Sequence, residues 1–78
     1  MPSLPVITGK KAVKVFNKLG FSVVRIQGSH HIMKKKGHRC LLTVPVHSGK
    51  TLKPGTLRGL IRAAEVSPEH FLQVLNQI

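Results

Sequence analysis

Aspartate, tryptophan and tyrosine are absent from this 78-residue chain, and Glu65 and Glu69 are its only two acidic residues. Metal-assisted phosphodiester hydrolysis wants several convergent carboxylates, so a metal-dependent nuclease is not expected. Both glutamates flank a Ser67-Pro68 helix start, where the dipole of that helix accounts for them. Cys40 is the single cysteine, which excludes an internal disulfide and a cysteine-rich zinc site. In the run Cys40-Leu41-Leu42 it reads as a small buried hydrophobe. No apolar run approaches the roughly 18–20 residues of a membrane span. The lead Met1 to Thr8 holds two prolines and no apolar stretch of the signal-peptide kind. A cytoplasmic protein without membrane association is the expectation.

What the chain has in excess is positive charge: 13 Lys and Arg against 2 acidic residues leave a net charge of +11. Such a field draws polyanions, and it speaks about partners rather than fold. The 41% of hydrophobic residues, mostly Leu, Val and Ile, suffice for one small core, and one domain over residues 1–78 is expected.

Thr8 can cap a helix beginning near Gly9, in which Ala12, Val15, Phe16 and Leu19 form one buried stripe. Gly20 ends it, and Phe21 can fold back on the last turn. The β-branched residues between Phe21 and Ile26 predict a strand, followed by a turn at Gln27-Gly28-Ser29. A second strand starts near His30 and runs through Ile32 and Met33 to a basic hairpin at Lys35-Lys36-Gly37-His38. Arg39 to Val44 reads as the third strand, closed by Pro45, and a polar loop spans Val46 to Lys53. Pro54 opens a helix that buries Leu57, Leu60, Ile61 and Ala64 and carries Arg58 and Arg62 as a basic ridge. Ser67 caps a last amphipathic helix. The order α-β-β-β-α-α predicts an α+β fold: a three-stranded antiparallel sheet with helices on one face, like that of double-stranded-RNA-binding domains.

With carboxylates scarce, histidine is the remaining acid or base near neutral pH. His30 and His31 are adjacent in a strand, so they point to opposite faces and cannot share a metal; one can act while the other packs. His38 in the hairpin and His70 on the last helix read as solvated, and His47 in its loop can approach a substrate. RNA carries its own nucleophile, the 2′-hydroxyl, so a cleaving protein needs a base, an acid and cations for the crowded phosphate. Lys34, Lys35, Lys36 and Arg39 around the hairpin, with Lys50, Lys53, Arg58 and Arg62 beyond it, are the expected phosphate contacts. Gly28 would let the backbone approach a phosphate, although an ordinary turn glycine explains it equally well.

Five segments together resemble HicA toxins: Thr8-Gly9-Lys10, Leu19-Gly20-Phe21, Gly28-Ser29-His30-His31, Val44-Pro45-Val46-His47 and Leu57-Arg58-Gly59-Leu60-Ile61. The resemblance implies a ribosome-independent mRNA interferase with a double-stranded-RNA-binding-like fold; with carboxylates so scarce, no metal or cofactor is expected. It also implies a HicB antitoxin that covers the active face. The family's catalytic histidine follows Gly-Ser, which is His30 here, with Gly28 and Ser29 completing the motif and His31 as the reserve assignment. Fold and charge alone are explained equally well by a module that holds RNA without cutting it, or by a basic surface made for an acidic protein.

Overall fold

The computed structural model describes residues 3–78, so Pro2 of the proline-containing lead lies outside the described residues. Thr8 begins α1 (Gly9–Lys18) as expected: its Oγ1 accepts from the Lys11 amide at 3.1 Å, satisfying one of the donors that a helix start leaves open. Ala12, Val15 and Phe16 are buried along one stripe. Gly20 takes φ +103°, and the chain doubles back so that the Phe21 amide donates to the Phe16 carbonyl. The Phe21 ring then packs edge-on against Phe16, centroids 6.2 Å apart.

Three strands follow, β1 (Ser22–Gln27), β2 (His30–Lys34) and β3 (Leu42–Pro45), in one antiparallel sheet of order β1-β2-β3. The helices α2 (Pro54–Ala63) and α3 (Pro68–Leu75) complete the α-β-β-β-α-α order of an α+β fold. Directly paired residues share a sheet face, and faces alternate along a strand. Met33 pairs with Leu42 and His31 with Val44; Met33, Leu42 and Val44 are fully buried, so this face meets the helices. The opposite face carries His30 and Lys34, both exposed, and between them Ile32, which is 9% exposed. Ile32 lies outside the cluster that Met33, Leu42 and Val44 form with Ala12, Phe16 and Leu57.

The third strand begins three residues later than the sequence pattern predicts. Arg39 to Leu41 stay outside the ladder, and Cys40, expected in the core, is exposed. Apolar neighbours do not bury a residue that precedes the ladder. A bulge between Val23 and Arg25 shifts the register of β1, and the helices leave this edge strand overhanging, with Val24 and Ile26 exposed.

His38, expected to be solvated, is a latch instead. Its side chain is 10% exposed, lies edge-on to Phe21, and donates from Nε2 to the Ala63 carbonyl at 2.8 Å. Its Nδ1 faces Glu65 Oε2 at 3.4 Å, an ion pair when the ring is protonated. The basic hairpin is thereby tied to the end of α2, where Glu65 turns the chain with φ +58°.

Gly9 is the tightest point of the fold. A Cβ there would overlap the Pro45 carbonyl oxygen and come within 3.0 Å of Val46 Cα, so α1 starts directly on the end of β3. Gly59, inside α2, has open space around it. In an ordinary helix Gly→Ala stabilises by roughly 0.5–1 kcal/mol. Gly59→Ala is expected to follow that rule, whereas Gly9→Ala should reverse the sign and destabilise by about 1–3 kcal/mol. Urea unfolding of the two variants checks this; equal stabilisation by both would remove the close approach.

Candidate functional site

His30 sits in the first row of the open face, paired with Gln27 on β1 and Pro45 on β3. Gly28 makes the preceding turn with φ +59°, a conformation that costs glycine little. Ser29 is held from both sides of this turn. Its carbonyl accepts from the Val46 amide at 2.7 Å, and its Oγ shares a 3.3 Å hydrogen bond with His47 Nε2. The Gly-Ser-His segment and the loop after β3, eighteen residues apart, therefore form one place.

The starts of α1 and α2 meet at the same end. Thr8 and Thr51 form an isolated β-bridge, and the Leu52 amide donates to the Ile7 carbonyl at 2.8 Å. Neither helix has an acidic residue in its first turn. Lys10 and Lys11 occupy that of α1 instead, and α2 is preceded by Lys53 without a side-chain cap. Cations at the positive end of a helix dipole are locally unfavourable, and an anion relieves both. By contrast, α3 has the ordinary arrangement, with Ser67 Oγ accepting from the His70 amide and Glu69 in the first turn.

The expected phosphate contacts divide into groups. Lys34 shares the open face with His30. Lys35 turns back over the Phe21 ring, its Nζ 5.7 Å from the centroid, while Lys36 and Arg39 are exposed around the hairpin. His47, Lys50 and Lys53 line a cavity of about 320 Å³ that begins at Pro45, beside His30. Arg58 and Arg62 border a separate groove with Leu4, Ile61 and Pro68, so the basic ridge of α2 does not join that cavity.

Arg25 was not foreseen as part of the site. It pairs with Ile32 on the open face, one row from His30. Strict alternation counted from Val23 puts it on the helix side; only the bulge turns it outward, and no sequence signal marks the bulge. Lys10 stands in the first turn of α1, a place that the Thr8 cap makes readable in the sequence.

His31, the reserve assignment, lies on the Val44 face, and its Nδ1 is buried with no hydrogen-bond partner. A substrate for His31 would have to reach the face opposite that of His30. No group of three or more His, Cys, Asp or Glu side chains is positioned to hold a metal ion among the described residues. Among the same residues, no helix is long and apolar enough to cross a membrane.

A family model described as the HicA toxin of bacterial toxin–antitoxin systems matches residues 9–66, from the start of α1 to just past α2. Fold and match together define a toxin of a bacterial toxin–antitoxin system, whose partner is an antitoxin. The chain belongs to the HicA toxin family. No curated protein matches it.

The contacts of His38 and the exposure of His70 give the two opposite weights in folding. His38→Ala is expected to lower the unfolding free energy by about 1–3 kcal/mol, since it strands the Ala63 carbonyl and uncovers Phe21. His70→Ala, on an exposed helix face, should stay within about 0.5 kcal/mol. Denaturant midpoints at constant slope read both; equal effects would contradict the latch.

Proposed function

We propose that the chain is a metal-independent endoribonuclease that cuts mRNA in the cytoplasm, with His30 as its catalytic residue and a HicB-type antitoxin as its inhibitor. The observation that carries this reading is the exposure of His30 on the open sheet face, in one row with Pro45 and beside the Ser29–His47 pair. The motif that the family resemblance singles out thus adjoins a basic end that lacks acidic residues.

In this reading the 2′-oxygen of one nucleotide attacks the adjacent phosphorus, and the bond from phosphorus to the 5′-oxygen of the next nucleotide breaks. A proton leaves the attacking oxygen and a proton reaches the departing one; His30 exchanges a proton with the reacting oxygens. Arg25 and Lys34, on the same face, offset the charge that gathers on the phosphate oxygens. Lys10, Lys50 and Lys53 hold the flanking strand, and Gly28, Ser29 and His47 position the backbone against it. Proton transfer by imidazole and fixed cations meets the chemical minimum without a metal. The two glutamates also lie elsewhere, Glu65 against His38 and Glu69 in the first turn of α3. A HicB-type antitoxin that neutralises the toxin would cover the His30 face and present acidic groups to it.

His30→Ala is expected to lower cleavage of a defined mRNA in EDTA by at least about 10²-fold, the scale of lost acid–base catalysis, with RNA affinity within about twofold of wild type. Cleavage retained in His30→Ala would overturn the assignment, and cleavage by neither protein would favour an RNA-holding module. Arg25→Ala combined with Lys34→Ala should flatten the salt dependence of RNA binding by roughly 1–2 units of log K per log salt. An unchanged slope would remove the open face as the binding surface.

A further inference from the structure

We propose that the cavity between the end of β3 and the start of α2 is a subsite for a single nucleotide of unpaired RNA, next to the nucleotide whose phosphate His30 attends. The proposal rests on the reading of the chain as an RNA-cleaving toxin and adds where the sequence around the cut is read.

Size and lining both point to a nucleotide. At about 320 Å³ the cavity falls at the small end of ligand sites, which run from roughly 300 to 1,000 Å³. Pro45 and Leu52 form an apolar wall, Lys50 and Lys53 supply two cations, and His47 and Thr56 bring side-chain hydrogen-bonding groups. A flat apolar base with polar edges, joined to a phosphate, matches that combination. Inorganic phosphate would leave the apolar wall unused, and an apolar ligand would leave the lysines without a partner.

Position links the cavity to the chemistry. Pro45 is both a wall of the cavity and the ladder partner of His30, so a base against Pro45 belongs to a neighbour of the reacting nucleotide. The walls are also built before any ligand arrives. His47 is held by Ser29, the Lys50 amide donates to the His47 carbonyl at 3.0 Å, and the Thr8–Thr51 bridge fixes the far side. A base edge meeting the His47 ring faces a partner that Ser29 already orients, with the Thr56 hydroxyl on the same cavity lining, and an oriented partner is the condition for preferring one base over another.

The test is a titration of the isotope-labelled full chain with each of the four ribonucleoside 5′-monophosphates and with inorganic phosphate, followed by amide NMR. It is run on the wild type, on His30→Ala and on Lys53→Met combined with Thr56→Val. Saturable shifts confined to His47 and Lys50 to Leu57 are expected for at least one nucleotide, at concentrations about tenfold below those that phosphate needs. His30→Ala should bind equally, and the double variant about tenfold more weakly, with a changed base preference at the cut. Shifts no stronger than those from phosphate, shifts spread over all lysines, or undiminished binding by the folded double variant would overturn the subsite. The spectrum itself reports folding of each variant. Nucleotide binding in a chain that cuts no RNA would support the subsite and sink the cleavage reading. Cleavage dependent on His30 without cavity shifts would sink the subsite alone.

Discussion

At the start of α1 the backbone of Gly9 lies against the Pro45 carbonyl with no room for a side chain between them, and the basic end of the molecule is organised around that contact. Pro45 is the ladder partner of His30, so the helix start is set against the row that holds the histidine. Thr8, one residue earlier, caps α1 and bridges Thr51, which brings in the loop leading to α2. Three segments distant in sequence thus converge through backbone contacts, which long, flexible lysine side chains alone could not fix.

In the proposed reading, stability and chemistry are divided between two ends. Away from the site, all three phenylalanines are buried; Phe16 contacts Phe21 and, at 5.4 Å between centroids, Phe71, while His38 closes the hairpin onto α2. Aromatic packing of this kind adds about 0.5–1.5 kcal/mol per pair beyond area burial, a large share for so small a core. At the other end lysines stand at two helix starts where acidic residues would stabilise more. Local stability is given up there, as is common where a binding site competes with folding preferences. In the proposed reading an anionic strand would supply the missing negative charge, and so would the acidic surface of an antitoxin.

Most of the architecture was legible because each element carries its own punctuation: Thr8 and Ser67 as caps, Gly20 as a stop, Pro54 and Pro68 at helix starts. The separation of His30 from His31 onto opposite faces followed from strand geometry alone. Tertiary position was less readable. His38 is in a turn by sequence, and nothing local says that Phe21 and the Ala63 carbonyl will enclose it. Cys40 keeps apolar company in sequence but lies before the ladder begins. Arg25 reaches the open face only through a bulge, and the gathering of Lys50 and Lys53 beside Pro45 depends on pairings across more than forty residues. Such contacts are set by the assembled core, so local patterns do not announce them.

In the proposed reading a histidine on the open sheet face lets RNA cut itself through its 2′-hydroxyl. The chemical ends of the fragments test it most directly, read by mass spectrometry after incubation of a defined mRNA with the purified chain in EDTA. The expected result is a 2′,3′-cyclic phosphate, or the monophosphate it opens to, on the upstream fragment and a 5′-hydroxyl on the downstream one. A 3′-hydroxyl paired with a 5′-phosphate would mean that water attacked the phosphorus, and would contradict it.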